Sequence, residues 1–146
     1  MSDTPQVPTG TFNPAKVILT FASTTIVGLA KGTQIKVSRD SDQTTDDVGA
    51  NGDVVVVINN DERGYIDLEL LQSSPSNDFL SEQAELFKSG GGTKPVECID
   101  LNGTSVASGL DAWVVKLADS EYATEAANRA WRIRVARLKH FVGAIS

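Results

Sequence analysis

The chain has 146 residues, 40% of them hydrophobic and 22% charged, and carries a net charge of −6, a balance that argues against general binding to nucleic acid or anionic membrane. Its length suits one ordinary domain with a sizeable core. A lone cysteine, Cys98, excludes an intrachain disulfide, and no run approaches the ~20 apolar residues of a membrane-spanning helix.

The first residues, Met1-Ser2-Asp3-Thr4-Pro5-Gln6, lack the basic start and apolar stretch of a secretory signal, so synthesis in a reducing cytoplasm is expected. Pro5, Pro8, Gly10 and Pro14 make residues 1–13 an arm ahead of a single domain over 14–146. Val17, Leu19 and Phe21 then share one face of a strand, and Thr24 to Leu29 is a second β-prone piece. Gly28 and Gly32 bracket a turn before a strand over Gln34 to Ser38. Residues 39–52 hold Asp, Ser, Thr, Gln and Gly with little that is apolar, and read as a long polar loop, a length usually reserved for function.

Val54-Val55-Val56-Val57-Ile58 is a continuous β-branched run, and after the turn-rich Asn59 to Gly64 the residues Ile66, Leu68 and Leu70 alternate with Tyr65, Asp67 and Glu69. These two runs are expected to pair as a hairpin, the second strand apolar on one face and acidic on the other. Past Ser73-Ser74-Pro75 the apolar period changes to three and four, through Phe79, Leu80, Ala84, Leu86 and Phe87. This predicts a helix over about 76–88, capped by Ser76 or Asn77 and stopped by Gly90-Gly91-Gly92. Val96 to Leu101, an Asn102-Gly103 turn and Thr104 to Ala107 form the next hairpin. Trp113, Val115 and Leu117 mark another strand, Asp119 to Ala127 has room for a helical turn, and Trp131, Ile133 and Val135 mark the last strand. The fold class is mainly β, a sandwich or barrel with one flanking helix.

Chemistry is sparse. His140, the only histidine, has no nucleophile setting and reads as structural. One cysteine and one histidine far apart make no zinc site, and Asp40, Asp42, Asp46 and Asp47 lack the glycine and glutamate of a calcium loop. Gly90-Gly91-Gly92 before Lys94 has helix and strand in the wrong order for a phosphate loop. Arg132 and Arg134 lie on the strand face opposite Trp131, so cations and ring do not form a base-stacking stripe. No enzyme, cofactor or metal is indicated. Charge is nonetheless segregated, acids dominating 39–69 and Arg129, Arg132, Arg134, Arg137 and Lys139 standing without an acid at the end.

The run Gly52-Asp53-Val54 through Tyr65-Ile66-Asp67-Leu68-Glu69-Leu70 into Ser73-Ser74-Pro75-Ser76-Asn77-Asp78-Phe79-Leu80 resembles the tail-tube proteins of contractile-tailed bacteriophages. Ile99-Asp100-Leu101-Asn102-Gly103 and the closing Trp131 strand fit the same pattern, and the resemblance extends from Asn13 onward. It implies a virion protein, assembled in the host cytoplasm, whose copies form hexameric rings with a closed inner β-barrel. The rings stack into a tube inside a contractile sheath, and DNA passes through the lumen without specific binding. Its implied partners are itself, the tail sheath, tape-measure, baseplate and tail-terminator proteins.

In that setting Asp67 and Glu69 are candidates for the lumen lining, where carboxylates repel phosphate. Asp40, Asp42, Asp46 and Asp47 with Arg129, Arg132, Arg134 and Arg137 are candidates for contacts between subunits or rings. A tube or distal-tail ring of a related contractile injection system is the nearest alternative. From a different class, a carbohydrate-binding β-sandwich would need exposed aromatics, and the aromatic content is 6%.

Overall fold

In the computed structural model, which describes residues 6–7, 9–32 and 34–145, the alternating segments become strands of one curled antiparallel sheet. Part of the arm over 1–13 lies outside these residues, and its described part has no regular structure. After a short 3-10 turn, Pro14–Lys16, capped by the Asn13 side chain accepting from the Ala15 N–H, come β1 (Val17–Phe21), β2 (Thr24–Thr25) and β3 (Ile35–Arg39). Then follow β4 (Thr44–Val48), β5 (Val54–Ile58), β6 (Gly64–Leu70), helix α1 (Ser76–Lys88), β7 (Lys94–Asp100), β8 (Val106–Val114), β9 (Arg129–Val135) and β10 (Lys139–Phe141).

The sheet runs β2-β1-β7-β8-β9-β6-β3, with β10 also on β8, while β4 and β5, among the described residues, pair only with each other. Strand β8 serves two partners along one edge: Val106 to Ser108 face β10 and Ala112 to Val114 face β9. Gly109, between those stretches, marks the crossing, since a Cβ there would stand 2.3 Å from Val135 Cγ1. The chain after β2 crosses to the far side, where Leu29 bridges Leu70 and the Ala30 N–H donates to the Glu69 carbonyl. The sheet therefore folds over one core without closing into a barrel.

That core collects the inward residues of each strand: Leu19 and Phe21, Ile66, Leu68 and Leu70, Val96 and Cys98, Ala112 and Val114, and Trp131, Ile133 and Val135. Each fully buried Leu, Ile or Phe removes enough apolar surface from water to contribute roughly 1.5–3 kcal/mol. Helix α1 adds Leu80 to the core, sets Phe79 edge-on to Phe21 with ring centroids 6.4 Å apart, and stacks Phe87 on Trp113 at 5.6 Å.

The helix start is held by side chains from outside the cap position, beginning with Ser74 Oγ, which accepts from the first helical N–H, that of Ser76, at 3.2 Å. Pro75 occupies the cap position and makes no capping side-chain bond. The expected caps do something else: Ser76 Oγ accepts from the Val27 N–H at 2.9 Å. Asn77 Nδ2 donates to the Leu71 and Ser74 carbonyls, while its Oδ1 accepts from the indole Nε1–H of Trp131 at 2.9 Å. Ser74 Oγ donates to the Val27 carbonyl at 2.6 Å, and Gly28, at φ +74°, leaves no room for a Cβ beside it.

Several expectations are corrected. The loop expected over 39–52 contains β4, and β5 pairs with β4 rather than with β6, in the register Thr45↔Val57, Asp46↔Val56, Asp47↔Val55. Strand β6 lies instead between β3 and β9. The β4–β5 hairpin is the outer half of a ribbon whose inner half is β3–β6, and because neither of its faces is buried, β4 shows no apolar alternation. The separate strands expected at Thr104 to Ala107 and Trp113 to Leu117 are one strand, β8, and Val115 and Leu117 lie beyond its end, each 48% exposed. The second β-prone piece shortens to Thr24–Thr25, and Asp119 to Ala127 forms no helical turn.

Replacing Asn77 by alanine strands the buried Trp131 N–H and is expected to cost about 2 kcal/mol. A urea denaturation series on the variant and the native chain measures it; an unchanged midpoint would show that the network is dispensable.

Candidate assembly surfaces

The β4–β5 hairpin is the most unusual surface of the chain. A run of β-branched residues normally signals a strand covered on both faces. Here Val54, Val55, Val56, Val57 and Ile58 are 47–71% exposed, as is Val48 opposite Val54 at 67%. Opposed residues share a face, so Val48, Val54, Val56 and Ile58 lie with Asp46 and Thr44 on one side, and Val55 and Val57 lie with Asp47 and Thr45 on the other.

A polar neck fixes where the hairpin points. Arg63 donates to both oxygens of Asp61, from Nε at 2.9 Å and Nη2 at 3.0 Å, and Ser41 donates to the same carboxylate. The Asp40 N–H donates to the Arg63 carbonyl, and Asn59 is tied to Gln43 and Asp42 across the ribbon. Arg39 Nη2 donates to the Leu138 carbonyl, joining the neck to the turn between β9 and β10. The Arg63 side-chain bonds hold the Asp61 carboxyl well below the usual range, at about 2.

The two outer halves of the main sheet differ in chemistry. Across β3, β6 and β9 the register lines up Lys36, Asp67 and Arg132, with Ser38, Tyr65 and Arg134 in the next row. Arg132 makes two bonds to Asp67, at 2.7 and 3.1 Å, with its guanidinium carbon 4.2 Å from the Tyr65 ring centroid. Arg134 pairs with Asp40. Across β1, β7, β8 and β10 the register instead aligns Ile18, Ile99, Val106 and Phe141, with Thr20, Glu97, Ser108 and Lys139 beside them.

The bacteriophage PhiTE tail tube protein family matches residues 19–143. The chain belongs to that family. The anti-feeding prophage tube-terminating cap has the same fold, with a TM-score of 0.63 at 13% identity over 97% of this chain and 95% of that one. So does the sheath/tube terminator of the PVC extracellular contractile injection system, at TM-score 0.55 and 13% identity over 97% of this chain and 100% of that one. A chain of the PVC sheath–tube complex aligns at TM-score 0.50 and 14% identity over 93% and 91%. Among curated proteins no sequence matches significantly. The chain is thus a structural component of a phage tail, with a mainly β fold and one helix.

The residues singled out in this tail tube chain divide three ways. Asp67 and Glu69 do share an outward face, but Asp67 is occupied by Arg132. Asp40 and Arg134, expected to meet across subunits, are paired within one chain. Asp42, Asp46 and Asp47 lie on the neck and hairpin, Arg129 opens β9 opposite Leu70, and Arg137 lies between β9 and β10; none of these has an ion-pair partner among the described residues. Sequence reasoning missed the exposure of β5 and the outward row from Ile18 to Phe141. Its only trace is a set of alternate positions on separate strands that become neighbours through pairing.

His140 opposes the buried Ala107, and burial together with nearby Arg39 pushes its pKa down. Burial holds the Cys98 thiol up at about 11. Among the described residues no acid, cysteine or histidine cluster fits a metal, and no helix is long and apolar enough to cross a membrane.

Asp61→Asn removes the charge that holds Arg63 and is expected to speed amide hydrogen exchange across 44–58 while leaving the thermal midpoint of the main sheet nearly unchanged. The pH dependence follows the same group. A carboxyl depressed from 3.8 to about 2 keeps its contribution above pH ~4 and loses it as pH falls toward 2. Protection in the native hairpin should therefore persist at pH 5 and fall only in strong acid; equal exchange in variant and native chains at pH 7 would rule the neck out as the constraint.

Proposed function

We propose that copies of this chain form hexameric rings that stack into the inner tube of a contractile tail, through which DNA passes during ejection. The observation that carries the reading is the free β4–β5 hairpin, whose exposed valines and isoleucine form a surface that monomers rarely leave uncovered. Among the described residues the outer edges of β3 and β10 are also unpaired, and closing strands from several copies into an inner barrel would satisfy them. Assembly would take place in the host cytoplasm, and the partners would be the sheath, tape-measure, baseplate and tail-terminator proteins.

The β3–β6–β9 face, with Asp67 and Glu69, suits the lumen for a reason different from simple repulsion. Its guanidiniums are already taken, Arg132 by Asp67 and Arg134 by Asp40, so a passing phosphate finds no free bidentate partner there. Acids and bases nearly balance on this face, which lets a duplex slide without being either held or expelled.

A second reading, a terminator ring that caps a tube, draws on the two solved structures of higher TM-score, a tube-terminating cap and a sheath/tube terminator. Negative-stain microscopy of the purified chain separates the readings. Six-fold rings stacked into hollow tubes are expected. Rings that never stack would favour the terminator, and a monomer at every concentration would refute self-assembly.

For the lumen, Asp67→Ala frees Arg132, so its tubes are expected to retain duplex DNA at low salt in a filter-binding assay while native tubes do not. Identical retention by both would remove this face from the lumen.

A further inference from the structure

The hairpin needs a cover, and the chain itself carries a surface that matches it. We infer that the hairpin of one copy lies across the outer face of the β1-β7-β8-β10 half-sheet of the next, with Val54, Val56 and Ile58 along the Ile18–Ile99–Val106–Phe141 row and Asp46 against Lys139. The inference rests on the self-assembly reading above and names the receiving surface.

Shape supports the match. Ile18, Val106 and Phe141 are 37%, 38% and 59% exposed, and Ile99 lies between them in the register. Four strands at about 4.8 Å spacing make that row about 14 Å long, and five residues of extended chain span about 14 Å. The hairpin face that presents Val54, Val56 and Ile58 also presents Val48, so it is the more apolar of the two.

Charge selects the partner and the orientation. Residues 40–62 contain Asp40, Asp42, Asp46, Asp47, Asp53, Asp61 and Glu62 and no lysine or arginine, so two hairpins brought together would repel. On the β3–β6–β9 face Arg132 and Arg134 are already paired. Lys139 has no ion-pair partner among the described residues and adjoins the apolar row, with Ser108 separating it from Glu97. The neck, pinned through Asp61, Arg63 and Arg39, holds the hairpin off its own body, so the occupant is a second copy. Hairpin and row are different patches of one chain, which makes the contact heterologous and lets it propagate into a ring or a filament.

Two measurements on the full chain test this. In the first, Val56→Cys and Val106→Cys are combined and assembled protein is oxidised; Cys98 is buried with its thiol at about 11, so it stays in place. A ladder of disulfide-linked chains is expected, and none from Val56→Cys combined with Leu86→Cys on the helix. In the second, Lys139→Glu is expected to raise the critical concentration for assembly about tenfold, and adding Asp46→Lys to restore it. Both side chains are exposed, and circular dichroism confirms that each variant folds.

Native tubes with no Val56–Val106 ladder, or a ladder only with Leu86, would overturn the receiving surface while leaving self-assembly standing. So would Lys139→Glu assembling like the native chain, or Asp46→Lys failing to restore it. A native chain that never assembles overturns both.

Discussion

The buried contacts of Ser74, Ser76 and Asn77 are the constraint on which the rest of the architecture hangs. In four residues they tie the helix start to Val27 on one side and to Trp131 of β9 on the other. The segment that crosses from β2 to the end of β6 can dock only because Gly28 adopts φ +74° against Ser74. Asn77 uses both ends of its amide, donating to two carbonyls and accepting from the indole, so no apolar residue of similar size replaces it without leaving a donor unpaired. With the helix and β9 fixed, the β9–β6 register follows, then β6–β3, and from that ribbon the direction of the free hairpin.

This hierarchy explains what the sequence reveals and what it hides. Strands β6 and β9 are legible because each buries one face completely, which enforces the alternation of Ile66, Leu68 and Leu70 and of Trp131, Ile133 and Val135. The helix is legible from its changed period and its glycine stop. The Ser-Pro-Ser-Asn string that carries the family resemblance was legible as a pattern but not as a mechanism, since capping and bridging use the same residue types. Strand β4 was hidden because a strand with two wet faces has no period. Adjacency in sequence predicts that β5 pairs with β6, whereas the ribbon geometry gives β6 to β3 and β5 to β4.

The segregated charges meet at two points within one chain. Asp67 faces Arg132 directly in the β6–β9 register, and Asp40, just beyond β3, reaches Arg134. Partners within one chain are found before partners on another, because no association entropy opposes them. Exposed ion pairs of this kind add little stability. Their effect lies in what they withhold, since a guanidinium held by a carboxylate and stacked on Tyr65 is a poor phosphate ligand.

The hairpin poses the opposite problem, since a flat apolar strand with an open edge is the kind of segment that aggregates. Asp46 and Asp47 lie one on each face of β4, opposite Val56 and Val55, and Asp53 precedes β5. Any pairing of hairpin with hairpin brings these carboxylates together with no cation to relieve them, so the simplest wrong association is the one most strongly opposed. The same acids favour a surface that offers apolar area beside an unpaired cation, and the row ending at Phe141 with Lys139 beside it does so. Protection of the free subunit and choice of its partner thus come from one feature, acid placed on a strand whose mate is almost wholly valine.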